Sequence, residues 1–278
     1  MPIPSLPLMP GALRYKTERL RHCLQELDGA LVAFSGGVDS TLVLKMASDV
    51  LHARAMAVTA VSPTFPHEEL DMVRRLSEEI GVRLIVASTN QLHSEAFVRN
   101  DAMRCYHCKR DLYRLFDPIK RETGITAVVD GTHVDDLSDD RPGITAAREC
   151  GVRSPLVEAE FGKTDIRALA SALGLSNWDK PAAACLSSRI PRGTVITEEK
   201  LQRVGQAERW LKQEGFGQVR VRDHGDSARI EVEAKDLPRL LEMERRARIA
   251  TRLKTLGFQF VTLDLEGYRP GGRARGGG

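Results

Sequence analysis

The chain has 278 residues, enough for roughly two domains at about 150 residues each and for a substantial hydrophobic core. With 42% hydrophobic and 28% charged residues it lies near the globular average, which excludes a disordered, collagen-like or disulfide-stapled chain. Forty-one Lys and Arg against 38 Asp and Glu leave a formal charge of +3, too balanced to indicate nucleic-acid binding from bulk charge.

Residues 1–11 and the Gly-, Pro- and Arg-rich tail 270–278 bury almost nothing and are expected to fray. No run of about 18 apolar residues occurs, and Met1 to Pro10 lacks a basic flank with an apolar core, so a cytoplasmic protein without a membrane span is expected. An amphipathic helix ends at Asp28-Gly29, followed by an apolar strand over 30–34, a glycine turn and a helix over 41–51. Then come a strand over 55–61, a helix over 68–80 stopped by Gly81, a strand over 82–87, a helix over 106–122 and a strand over 127–130. Short continuous apolar strands separated by helices indicate a parallel sheet covered on both faces.

Past residue 195 the order changes. A helix over 197–214, strands over 218–222 and 228–233 around Gly225, a helix over 236–254 and a strand over 258–265 read as a small α+β unit. The expected organisation is an α/β domain over 12–195 and a smaller domain over 196–269, for substrate or oligomer contacts. The loop 176–194, with Pro181, Pro191 and Gly193, joins them.

The segment ALVAFSGGVDSTLVLKMA places Ser35-Gly36-Gly37-Val38-Asp39-Ser40 between an apolar strand and a helix. Two glycines let successive backbone N–H groups converge on one anion while the helix aims its positive end at the same place, and Ser35 and Ser40 add hydroxyls. Neither GxxxxGK[ST] nor GxGxxG is present, so the loop is of another kind. The plainer reading is a strand-to-helix turn capped by Ser40 or Asp39. The segment resembles the pyrophosphate loop of the ATP pyrophosphatase (PP-loop) superfamily, whose members cleave ATP between the α and β phosphates. That resemblance implies that Ser35, Gly36, Gly37, Asp39 and Ser40 hold the pyrophosphate half of ATP with Mg²⁺. Gly131 and Thr132, at the end of a sheet strand, stand where open α/β sheets place ligands. Asp135, Asp136 and Asp139 invite a weaker Mg²⁺ reading.

The five cysteines, Cys23, Cys105, Cys108, Cys150 and Cys185, are an odd number in a chain that needs no staples, which favours thiols. Cys105-Tyr106-His107-Cys108 opens a helix, and Cys185 lies 77 positions after Cys108. A redox pair, a zinc site completed by His107, and an iron–sulfur cluster with one open iron all suit this spacing. Cys23 and Cys150 read as structural. Lys180, Arg189 and Arg192 flank Cys185, and strand alternation puts Arg220 and Arg222 on one face, suited to clamping a phosphate, with Glu231 in support.

Taken together, the loop, the segments 104–109 and 131–143, and above all Lys180-Pro181-Ala182-Ala183-Ala184-Cys185-Leu186-Ser187-Ser188-Arg189-Ile190-Pro191-Arg192-Gly193 resemble the LarE family of ATP-dependent sulfur transferases, over about 24–265. The resemblance implies adenylylation of the carboxylates of pyridinium-3,5-biscarboxylic acid mononucleotide and their conversion to thiocarboxylates in nickel-pincer cofactor synthesis for lactate racemase. In the sacrificial form of that family a single cysteine matching Cys185 gives up its sulfur and becomes dehydroalanine. Other members hold a [4Fe–4S] cluster with cysteines matching Cys105, Cys108 and Cys185, and the presence of all three favours that form here. The implied substrate site includes Ser188, Arg189, Arg220, Arg222 and Glu231; the implied partners are a small molecule and further copies of the chain, not nucleic acid or membrane. A transfer-RNA thiolation enzyme, an NAD synthetase-like amidotransferase and a nucleotide-sensing module are the rival readings.

Overall fold

The computed structural model describes residues 10–138, 142–181 and 184–269, which divide into two units: 10–91 with 102–181, and 92–101 with 184–269. Residues 1–9, the tail 270–278 and Asp139 therefore lie outside the described residues.

The first unit is built on a four-stranded parallel sheet of order β3-β2-β1-β4, from β1 (Ala30–Ala33), β2 (Ala55–Val61), β3 (Arg83–Ser88) and β4 (Val128–Val129). Its helices are α1 (Gly11–Gln25), α2 (Val38–Leu51), α3 (His67–Ile80), α4 (Arg104–Arg114), α5 (Phe116–Thr123), α6 (Pro142–Glu149) and α7 (Lys163–Ala172). Alternation along β1 explains the layering. Ala30 and Val32 pack with Leu20, Leu24, Leu42, Met46 and Leu169, while Leu31 faces the other way into Val58, Tyr113, Phe116, Ile119 and Val128. Both faces are thus covered, as the near-continuous apolar strands require.

Three features differ from the sequence expectation. The helix expected over 106–122 is two helices separated at Leu115, because Pro118 lacks an N–H and its ring would collide with the carbonyl four residues earlier in a continuous helix. The expected strand over 127–130 is reduced to two residues; beyond it Asp130 N–H donates to the Arg153 carbonyl at 3.0 Å. Helices α6, α7 and a turn at Pro155–Glu158 occupy a stretch in which no element was expected. The start of α7 is fixed by Asp165, whose carboxylate accepts from Gly162 N–H at 3.1 Å.

In the second unit β5 (Val219–His224) pairs antiparallel with β6 (Ser227–Val232) around Gly225, whose φ is +73°, and β6 pairs parallel with β7 (Phe260–Leu263). Helices α8 (Glu198–Gln213) and α9 (Met243–Thr255) complete it. Thr197 caps α8 by accepting from Lys200 N–H. The helix expected over 236–254 is interrupted at Glu242, where ψ is 134°, so α9 starts afresh there.

Residues 184–195, read from the sequence with the first domain, belong to the second unit, and Asn100 shows why. This fully buried residue sits at φ +57° and its amide donates to the carbonyls of Pro191 and Thr194 at 2.8 and 2.9 Å, while Gly193 N–H returns a bond to the Asn100 carbonyl. Asn100→Ala leaves two carbonyls short of a donor and keeps a strained backbone, so urea unfolding of this variant should show a loss of about 2–4 kcal/mol. A loss under about 0.5 kcal/mol would contradict this role.

Candidate functional site

The loop between β1 and α2 is shaped by its own residues. Gly36 takes φ +70°, a conformation that side chains resist, and a Cβ there would sit 3.0 Å from Val73. Ser35 Oγ accepts from Gly37 N–H at 3.3 Å, and Ser40 Oγ donates to the Gly37 carbonyl at 3.1 Å and lies 3.1 Å from Ser35 Oγ. Gly37 precedes α2 without any side-chain cap, which leaves the first N–H groups of that helix to an incoming anion. Gly131 presses against this helix start, since a Cβ on it would lie 2.7 Å from Ser40 N and 2.9 Å from the Asp39 carbonyl carbon. Thr132 follows, its N–H and Oγ1 both bonded to the Asp130 carboxylate.

Charged groups ring the loop. Asp39, in the first turn of α2, receives both of its oxygens' bonds from Lys163 Nζ at 2.6 and 2.8 Å. Buried His133 stands near three carboxylates, with Nε2 4.0 Å from Asp39 and 3.5 Å from Asp136, and Nδ1 3.8 Å from Asp135. Asp135 also accepts from Lys163 N–H at 2.7 Å.

Sequence reasoning missed Lys163 and Asn177. Asn177 Nδ2 donates to the Gly36 carbonyl at 3.1 Å and to Thr41 Oγ1 at 2.9 Å, which pins the loop from below. Lys180, read as a cation flanking Cys185, instead binds Glu69 at 2.5 Å and the Gly36 carbonyl at 3.4 Å. No motif announces Asn177, whose partners lie 141 and 136 positions away.

None of the five cysteines is in a disulfide. Cys105 and Cys108 are one helical turn apart on α4; Cys105 is exposed with the Arg104 guanidinium against its sulfur, and Cys108 is half-buried. Cys185, in the second unit, is exposed at the start of the short helix Leu186–Arg189, its Sγ 2.9 Å from Ser187 Oγ. Burial raises the Cys23 thiol pKa, consistent with a structural residue. Among the described residues no three His, Cys, Asp or Glu side chains converge as a ready-made metal site.

The second unit gathers arginines around β5. Arg189 is buried and forks onto Glu208 with two 2.8 Å bonds, while its Nη1 donates to the carbonyls of Ala184 and Cys185 and to Ser188 Oγ. Burial opposes this charge, but the Glu208 bonds prevail and raise the Arg189 pKa. Arg220 and Glu231 are cross-strand neighbours, and Arg222 forks onto Glu231 with two 2.9 Å bonds and reaches the Ser188 carbonyl. Buried Arg220 stacks over Tyr268; burial, then the nearby Arg189, depress its pKa. This is a partly desolvated cationic surface, which favours an anion.

A family model described as asparagine synthase matches residues 21–161, the span that holds the parallel sheet and the Ser-Gly-Gly loop. Fold and loop together define an ATP-using α/β protein of the PP-loop class. The chain is 43% identical over 262 residues to the pyridinium-3,5-bisthiocarboxylic acid mononucleotide synthase of Lactiplantibacillus plantarum, across 94% of each chain. It is also 46% identical over 259 residues to an uncharacterized protein of Synechocystis sp., covering 93% of this chain and 97% of that one. A more distant likeness, 29% over 239 residues, joins it to an uncharacterized protein of Methanocaldococcus jannaschii, across 86% of this chain and 90% of that one. The chain belongs to the LarE family, that of the Lactiplantibacillus plantarum synthase.

Gly131→Ala forces a methyl group into the backbone of α2, and Asn177→Ala removes the amide donor to the Gly36 carbonyl and Thr41 Oγ1. Each should raise the KM for ATP in pyrophosphate release by about tenfold or more. An unchanged KM in a folded variant would separate that residue from nucleotide binding.

Proposed function

We propose that this protein is an ATP-dependent sulfur transferase of nickel-pincer cofactor biosynthesis, converting the carboxylates of pyridinium-3,5-biscarboxylic acid mononucleotide to thiocarboxylates. The observation that carries the nucleotide half is the uncapped start of α2, held open between Gly36 and Gly131. There Ser35, Gly36, Gly37, Asp39 and Ser40 bind the β and γ phosphates, with Gly131 and Thr132 beside them. Asp39 is tied to Lys163, so Mg²⁺–ATP entry exchanges that ion pair for one between Lys163 and phosphate oxygens. A substrate carboxylate oxygen attacks the α phosphorus, the bond to the β-phosphate oxygen breaks, and pyrophosphate departs from the loop. The resulting mixed anhydride makes AMP the leaving group at the acyl carbon.

Arg220 and Arg222, with Glu231 setting the Arg222 fork, bind the substrate phosphate, and Ser188 and Arg189 bind beside them. Arg189 also holds the carbonyls flanking Cys185, which orients that segment. Sulfur then displaces AMP. The thiols Cys105, Cys108 and Cys185, none in a disulfide, suit an iron–sulfur cluster by donor chemistry, since thiolates are the ligands such clusters take. A [4Fe–4S] cluster held by these three would supply the sulfide-level sulfur for that displacement. Otherwise Cys185 itself attacks, and loss of its α proton with C–S cleavage leaves dehydroalanine.

Further copies of the chain are the expected partners. No described helix is long and apolar enough to cross a membrane.

Cys185→Ala should abolish thiocarboxylate formation while substrate-dependent pyrophosphate release persists; retained sulfur transfer would remove Cys185 from the chemistry. In the same experiment, mass spectrometry of the wild-type protein after turnover separates the two sulfur sources, because the sacrificial route alone strips the elements of H₂S from Cys185. Arg220→Ala and Arg222→Ala should raise the KM for the mononucleotide by about tenfold or more each, with the KM for ATP nearly unchanged.

A further inference from the structure

A partly buried polar chain links the thiol-bearing helix to the loop that abuts the nucleotide site. Along α4, Cys105, Lys109 and Tyr113 recur every four residues and so share one stripe. Lys109 Nζ donates to Tyr113 Oη at 3.5 Å and stands over its ring at 5.4 Å. Tyr113 Oη donates to Asp130 Oδ2 at 3.2 Å. Asp130, 4% exposed at the end of β4, also accepts from Thr132 N–H and Oγ1 and from Ser154 Oγ.

The charges fit this order. Burial pushes the Tyr113 phenol up to about 12, so it stays a neutral donor to Asp130. Lys109 Nζ thus reaches the buried Asp130 carboxylate through the phenol. The same carboxylate sets the turn at 130–132, in which Gly131 rests on Ser40 N. At the other end of the stripe α4 is closely packed, since a Cβ on Gly143 would lie 3.3 Å from Lys109 Cγ and 3.6 Å from the Cys105 carbonyl oxygen.

The geometry points to Lys109 and Tyr113 as positioning residues of sulfur transfer, which fix the helix carrying Cys105 and Cys108 against the Asp130 turn beside the pyrophosphate loop. This rests on the sulfur-transfer reading above for its consequence, but not for its geometry. Neither side chain is assigned to substrate or nucleotide. Asp130 serves both ends, whereas Lys109 and Tyr113 serve only the thiol end, so removing them should spare nucleotide binding.

The test compares Tyr113→Phe, Lys109→Met and Lys109→Arg in the full chain. Iodoacetamide labelling followed by peptide mass spectrometry reads each cysteine separately, with Cys23 on α1 as the internal control. In Tyr113→Phe and Lys109→Met, labelling rates of Cys105 and Cys108 should change by about threefold or more, with Cys23 unchanged. Thiocarboxylate formation should fall by about tenfold while the KM for ATP in pyrophosphate release stays within about twofold; Lys109→Arg, which keeps the cation, should behave as wild type. Wild-type labelling at Cys105 and Cys108, or a change shared equally by Cys23, would overturn the proposal. Should Tyr113→Phe fail to fold, the two Lys109 variants decide alone. A wild-type protein that releases pyrophosphate without making thiocarboxylate would instead defeat the sulfur-transfer reading, and the labelling ratios would still judge the positioning role.

Discussion

The start of α2 is the constraint around which the first unit is arranged. A helix terminus leaves its first N–H groups without partners in the helix, and here no side chain of the preceding residue caps them. Two glycines make this possible from opposite sides: Gly36 turns the chain out of β1 at a positive φ, and Gly131 lets the end of β4 come within van der Waals reach of Ser40. Asn177 and Lys180 then hold the Gly36 carbonyl away from the N–H groups. What is left is a set of backbone donors at the positive end of a helix, suited to an anion.

The second unit solves a related problem with side chains. Arg189, Arg220, Arg222 and Arg229 lie near β5 and β6, and Glu208 and Glu231 partly neutralise them. Buried guanidinium groups are costly without partners, and bidentate forks on carboxylates meet that cost while leaving an excess of positive charge. Glu208 also accepts from Val221 N–H on the outer, buried edge of β5, so one carboxylate ties the edge strand, Arg189 and, through Arg189, the backbone at Cys185.

Legibility from sequence followed locality. The strand, glycine turn and helix of the loop are contiguous, and the helix stop at Gly81 and the hairpin at Gly225 were readable for the same reason. Alternation put Arg220 and Arg222 on one face, but it could not show that the Arg222 fork is already engaged by Glu231 nine positions later. The helices α6 and α7 escaped because Pro, Gly and charged residues dilute their apolar period, and Pro118 divided a helix whose periodicity runs on through Leu115. Lys163 and Asn177 carry no motif; only the fold returns them to a loop more than a hundred positions away.

The central claim is that ATP cleavage at the α2 loop activates an acyl oxygen for replacement by sulfur. The most direct measurement is to incubate the anaerobically purified protein with Mg²⁺–ATP and pyridinium-3,5-biscarboxylic acid mononucleotide, then quantify AMP and pyrophosphate and weigh the mononucleotide by mass spectrometry. The account predicts a product in which carboxylate oxygen has been exchanged for sulfur, with one AMP and one pyrophosphate formed per exchange. Cleavage of ATP to ADP, or release of AMP and pyrophosphate with nitrogen rather than sulfur in the product, would contradict it.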